Sequence, residues 1–178
     1  FDTPMEPYPL KKVEIPSADL GNRGLLFAGI GWYTRLEFPY LNNIMEHGEY
    51  VHIGKAGLKI YPEYGTYSDF NALPDSIFLY IADENNVVTD AVKDYLGKQV
   101  QGGKLVKDDL FLGNTYYYFD VTQFMKEELG ASGKYKHNLQ LVFNSDDYTK
   151  TLKNLTFSAP NGQNPIILQL NYKIYESY

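Results

Sequence analysis

A chain of 178 residues, 44% apolar and 21% charged, suits a single globular domain, and no apolar run approaches the ~20 residues that a membrane-spanning helix needs. The formal charge of -6, with no basic cluster beyond Lys11 and Lys12, argues against nucleic acid and anionic lipid as partners, because both repel an acidic surface. With no cysteine in the chain, disulfides, thiolate nucleophiles and cysteine-ligated metal centres are excluded.

In chain order, Leu10 to Ile15 and Leu25 to Ala28 are short candidate strands. Trp32, Thr34, Leu36 and Phe38 then alternate with Tyr33, Arg35 and Glu37, as in a strand with one buried face, until Pro39 removes a ladder donor. A single helical turn is expected over Leu41 to Met45. His52, Gly54, Ala56, Leu58 and Ile60 repeat the alternation up to Pro62, which assigns His52 to the inner face as a hydrogen-bonded structural histidine. From Ser76 to Ala82, Ile77, Leu79 and Ile81 point inward, while Phe78 and Tyr80 suggest cover on the other face too. Val87 to Thr89 and Lys104 to Val106 are shorter candidates. Thr115 to Val121 is aromatic on both faces, Asn138 to Asn144 groups Leu139, Leu141 and Phe143, Leu155 to Ser158 is short, and Ile166 to Tyr175 stacks Ile166, Leu168, Leu170, Tyr172 and Ile174.

Between the later strands one helix is predicted near residues 121–129. Asp120 is its cap, Gln123 completes a capping box and Gly130 is the stop; Phe124 and Leu129 pack down while Lys126, Glu127 and Glu128 face water. Eight to ten short strands without alternating crossover helices predict an all-β fold. The expected architecture is a two-layer antiparallel β-sandwich of jelly-roll type in one domain, residues 1–178.

Two stretches carry a resemblance. Leu26 to Pro62 runs through a strand ending in Phe-Pro, a Leu-Asn-Asn-Ile turn and a strand reading Lys-Ala-Gly-Leu-Lys-Ile-Tyr; Thr115 to Leu129 reads TYYYFDVTQFMKEEL. Together they resemble the carboxy-terminal region of a Bacteroidetes family of surface lipoproteins classed as a domain of unknown function. The Phe-Asp-Val-Thr step into a helix is also similar to disaggregatase-related (DNRLRE) jelly-roll modules of carbohydrate-binding type. The resemblance spans about Leu25 to Tyr175 and implies an exported protein of the cell envelope or outer-membrane surface. Its membrane contact would be made only through an amino-terminal lipid anchor preceding Phe1, in the longer chain of which this would be the carboxy-terminal part. The matching motifs define a fold and transfer no catalytic residue.

Neither His47, His52 nor His137 stands in a metal-ligand spacing, and no nucleophile elbow, phosphate loop or dinucleotide fingerprint occurs, so no catalytic residue and no enzymatic activity are expected. No cofactor is expected beyond a possible structural calcium, for which Asp83, Asn85, Asp146 and Asp147 supply oxygens. Asn and Asp are equally ordinary turn formers at such positions. The tyrosines are the best functional lead, 17 of them against one Trp. Tyrosine stacks on sugar faces and adds a hydroxyl at small entropic cost. Tyr61, Tyr64 and Tyr67 share one loop, Trp32 with Tyr33 form a second candidate pair, and Tyr116 to Tyr118 are a third group. The expected function is therefore a surface module that recognises a glycan or a surface protein through its end loops. Two alternatives stand beside it: a spacer domain with no ligand site, and a glycan-active hydrolase, which would need two facing carboxylates.

Overall fold

The structure, a computed structural model, describes residues 14–41, 43–44, 50–93, 96–97, 99–108, 114–130, 137–144, 147, 150–158 and 164–175. Ten strands and one α-helix occur among them: β1 (Arg23–Phe27), β2 (Thr34–Leu36), β3 (Tyr50–Ile60), β4 (Ser76–Ala82), β5 (Val88–Ala91), β6 (Gly102–Val106), β7 (Tyr116–Asp120), α1 (Thr122–Gly130), β8 (Asn138–Val142), β9 (Asn154–Ser158) and β10 (Ile167–Tyr175). A 3-10 turn over Ser17–Leu20 precedes them. The candidate strand at Leu10 falls mostly outside the described residues, and Glu14 and Ile15 are not in a strand.

Every strand pair is antiparallel. The main sheet runs β10-β3-β7-β6-β4-β8-β2, and β5 takes the length of the β4 edge that β6 leaves open. β1 and β9 form a second, two-stranded sheet. The main sheet curls, so the inner faces of β3 and β7 close with those of β4 and β8 on one core containing Leu58, Ile60, Ile77, Leu79, Leu139 and Leu141. The chain is thus an all-β sandwich of jelly-roll type with one short helix, as the alternation predicts.

The alternation fails in one informative place. Lys55 pairs with Asn171 and Ile53 with Tyr172, which leaves Gly54 unpaired as a bulge. Because side chains alternate with a period of two, the extra residue exchanges the faces of everything before it. Ile53 becomes buried alongside Ala56 and Leu58, and His52 is exposed on the outer face opposite Lys173. The inner-face assignment of His52 is therefore wrong. The predicted strand from Trp32 also contracts to Thr34–Leu36, with Trp32 bridging back to Phe27.

Two details of α1 differ from expectation as well. Asp120 Oδ1 accepts from the Thr122 amide at 3.0 Å and from its hydroxyl at 2.5 Å, so it satisfies a first-turn amide from one residue before Val121, whose carbonyl takes the first helical bond from Met125; Gln123 bonds Glu127 at 2.7 Å and no capping box closes. Glu128 is buried, 2.6 Å from His137 Nδ1, where the amphipathic reading put it in water. Phe124 and Leu129 do pack down, Phe124 tilted against Phe38 with ring centroids 6.4 Å apart.

Tyr117 shows how the core holds a polar atom. Its ring is fully buried and its hydroxyl donates to the Pro74 carbonyl at 2.6 Å. Burial, then the charge of Asp75, pushes the phenol well above the ordinary tyrosine range. The unfolded phenol ionises near pH 10 while the folded one keeps its proton, so stability is intact below about pH 10 and falls above it by up to ~1.4 kcal/mol per pH unit. Tyr117→Phe is expected to lose about 1–3 kcal/mol at neutral pH, because the buried carbonyl loses its donor, and to show a shallower alkaline decline. Urea unfolding of both proteins at neutral pH and at about pH 11 checks this; their stabilities should converge as pH rises.

Candidate functional site

β3, β7, β6 and β10 are neighbours in the sheet, and their outward-facing side chains line an open groove of about 950 Å³. The register dictates the layout. Lys59 of β3 lies opposite Tyr118 of β7, which in turn lies opposite Lys104 of β6, so a tyrosine stands between two lysines in one row across the sheet. In the next row Tyr116 lies opposite Val106, with the Lys59 ammonium 5.0 Å from the Tyr116 ring centre. Toward the β10 edge, Gln169 pairs with Gly57 and Asn171 with Lys55.

Gly57 gives the site its shape. A Cβ at that position would stand 2.9 Å from both Cε2 and the hydroxyl of Tyr118, so the ring lies across the β3 backbone where only a glycine leaves room. The Cε2 and hydroxyl end of Tyr118 therefore packs against the strand, and the residue lines the groove.

The polar groups around that ring divide into two kinds. Gln101 is committed to the fold: its amide nitrogen donates to the Asp120 carbonyl at 2.8 Å and its oxygen accepts from the Asp120 amide at 2.6 Å. By contrast, Lys55, Lys59, Lys104, Gln169 and Asn171 have no side-chain hydrogen bond or ion pair among the described residues. Asp120, the acid on the outer face of β7, is occupied in capping α1. No carboxylate, histidine or hydroxyl other than those of the tyrosines lines the groove among the described residues. What remains can stack, donate hydrogen bonds and hold negative charge.

Of the loop tyrosines singled out from sequence, Tyr61 reaches the groove's margin, its ring 5.6 Å from that of Tyr116. Tyr64 and Tyr67 do not line it. Their loop is fastened to the small sheet instead: the Glu63 amide donates to the Thr156 carbonyl at 2.8 Å, and both Arg23 nitrogens Nε and Nη2 meet the Glu63 carboxylate at 2.7 Å. Tyr64 stands 68% exposed beyond the left-handed Gly65. Trp32 and Tyr33 sit in the connection between β1 and β2, and β2 closes the opposite edge of the main sheet from β10. The structure therefore does not gather the sequence candidates into one site.

The calcium candidates are used locally. Asp83 Oδ1 accepts from the amides of Asn85 and Val87, both at 2.9 Å, in a turn completed by the left-handed Asn86. Asp147 holds Lys153 at 2.9 Å, and Asp146 and His47 lie outside the described residues. No group of three His, Cys, Asp or Glu side chains positioned to hold a metal occurs among the described residues.

Of the groove, the sequence singles out only Tyr116 to Tyr118, because the groove residues come from four stretches whose pairing order cannot be read along the chain. Lys55, Gly57 and Lys59 are spaced for one face, as are Tyr116 and Tyr118, but alternation alone does not say that these strands are neighbours. Comparison of the chain with family models, with curated proteins and with solved structures returns no match in any of the three.

Proposed function

We propose that this domain is a non-catalytic glycan-binding module of the cell exterior, and that it binds through the outer face of β10-β3-β7-β6. The observation that carries this reading is the Tyr118 ring packed against the β3 backbone at Gly57 in an open groove, beside Lys55, Lys104, Gln169 and Asn171, whose side chains have no hydrogen-bond or ion-pair partner among the described residues. A sugar ring offers an apolar C–H face and a rim of hydroxyls. A fixed aromatic plane receives the face, and the lysine ammonium and amide groups receive the rim. Holding the ring against backbone removes the entropy cost of ordering it at each binding event. The resemblance to exported carbohydrate-binding jelly rolls points the same way.

Tyr118→Ala is expected to weaken binding of a cognate oligosaccharide at least about tenfold, as for a buried aromatic anchor, while the unfolding midpoint stays near that of the wild type because the ring is only half-buried. Glycan-array screening followed by titration calorimetry measures the first, and thermal unfolding the second. Unchanged affinity in the variant, or no glycan bound by the wild type, would remove this reading.

A further inference from the structure

We infer that the ligand of this groove is an anionic glycan, one that carries uronate carboxylates or sulfate esters along its length. The inference rests on the glycan-binding reading above and adds the charge of the sugar. The protein as a whole is acidic, with 22 Asp and Glu against 16 Lys and Arg. The groove is the reverse: three lysines line it and no carboxylate does, among the described residues.

Elsewhere on the described surface, cations that approach acids are neutralised. Arg35 meets Glu14 at 2.7 Å and Glu37 at 2.5 Å, Arg23 meets Glu63, Lys93 meets Asp90 at 2.8 Å and Lys153 meets Asp147 at 2.9 Å. Lys107, Lys126 and Lys173 have no such partner among the described residues, and neither do Lys55, Lys59 and Lys104, but these last three are gathered on one groove. Three like charges kept together repel one another in the free protein, and an anionic ligand relieves that repulsion. Asp120, the acid on the outer face of β7, lies opposite Gly57 and outside the groove lining, with its Oδ1 accepting from the Thr122 amide and hydroxyl.

The spacing favours an extended polyanion over a single small anion. Lys59 and Lys104 are two strand spacings apart, about 10 Å between backbones, and Lys55 lies four residues along β3 from Lys59, about 13 Å away. Tyr118 lies between Lys59 and Lys104 in the register, and the Lys59 ammonium leans over Tyr116 in the adjoining row, so cations flank the pair of groove tyrosines. Charge supplies the preference for an acidic ligand, and the aromatic plane supplies the preference for a sugar.

The test titrates the whole domain with three oligosaccharides of equal length: a galacturonic acid oligomer, an O-sulfated galactan oligomer and a neutral galactan oligomer. A single-stranded oligodeoxynucleotide is added as a polyanion without sugar-face stacking of this kind. At least one of the two acidic glycans is expected to bind, and which one does tells carboxylate from sulfate. Its affinity should exceed that of the neutral oligomer about tenfold or more and fall as salt is raised from about 0.05 to about 0.5 M. The variant carrying Lys59→Gln and Lys104→Gln should lose most of that preference while keeping whatever binding the neutral oligomer shows. If the neutral oligomer binds as tightly as the acidic ones, the anionic assignment falls and the glycan-binding reading stands. If acidic glycans bind but the lysine variant is unaffected, the anion site is not this groove and the inference fails. Equal binding of the oligonucleotide also overturns it, and binding of no oligosaccharide at all removes both readings.

Discussion

Inserting one alanine between Ile53 and Gly54 is expected to destabilise the protein by about 3–5 kcal/mol, whereas Gly54→Ala should cost less than about 1 kcal/mol. The difference lies in residue count. Gly54 is the unpaired residue of the β3 bulge, and it lets Ile53 face the core on one side of the bulge while Ala56 and Leu58 face it on the other. With one residue more and the bulge kept, either Val51 and Ile53 turn outward and Tyr50 and His52 inward, or the first part of β3 detaches from β10. In the first case a buried isoleucine goes to water and a histidine enters an apolar layer; in the second, several ladder hydrogen bonds are lost. The alanine substitution keeps the count. Its Cβ would meet only Asn171 oxygens, the nearer at 3.5 Å, which is ordinary contact, and the backbone there is not left-handed. Urea unfolding should show a large drop in midpoint for the insertion and little for the substitution. Amide hydrogen exchange should report loss of protection around Val51 to Ile53 in the insertion alone. Equal midpoints for the insertion and the wild type would mean that the bulge does not set the register.

That bulge also marks the limit of what alternation reveals. Strands such as β4 and β8 were legible because each keeps one phase, so that Ile77 and Leu79, and Leu139 and Leu141, fall inside as the pattern predicts, whereas β7, aromatic on both faces, was legible as a strand but not as to which of its faces is buried. β3 keeps two phases. Reading it as one strand with one phase carries the correct faces of Ala56, Leu58 and Ile60 back onto His52, where they no longer apply. The helix was legible as an element, from Asp120 at its start and its apolar face, but the place of Glu128 is tied to its contact with His137, nine residues on and immediately before β8. Local periodicity does not contain that contact.

The site was less legible than the fold for a related reason. Sequence reading favoured the Tyr61 to Tyr67 loop because its tyrosines are adjacent in the chain, whereas the groove is assembled by strand order. Lys59, Tyr118 and Lys104 are far apart in sequence and neighbours only because β7 inserts between β3 and β6. A cue was present at the outward positions Lys55, Gly57 and Lys59 of β3 and Tyr116 and Tyr118 of β7, where no acid occurs until Asp120 at the end of the strand. It acquires meaning only once the two strands are known to pair.

Replacing Gly103 is expected to be among the most damaging single changes available: more than about 3 kcal/mol for Gly103→Val and about 1–3 kcal/mol for Gly103→Ala. β6 is the middle strand of the main sheet's path, and a Cβ on Gly103 would overlap the Phe119 ring of β7. The ring has nowhere to go, because Phe119 is fully buried in the core cluster. The same device recurs at Gly24, whose Cβ would overlap the buried Phe157 ring across the β1–β9 pair, and in outward form at Gly57 beneath Tyr118. In each place a strand gives up a side chain so that an aromatic from the next strand can lie down, and the ring fills the volume the glycine leaves. A double-mutant cycle separates this from a backbone requirement. Phe119→Ala alone should cost about 3–5 kcal/mol through the cavity it opens. In that background Gly103→Ala should become nearly neutral or slightly stabilising, since alanine is the better strand residue once the ring is gone, which gives a coupling of more than about 1 kcal/mol. Additive costs would show instead that Gly103 is needed for its backbone. The curl of the sheet between its two halves would then depend on that backbone, with the Phe119 ring filling space that the backbone had already opened.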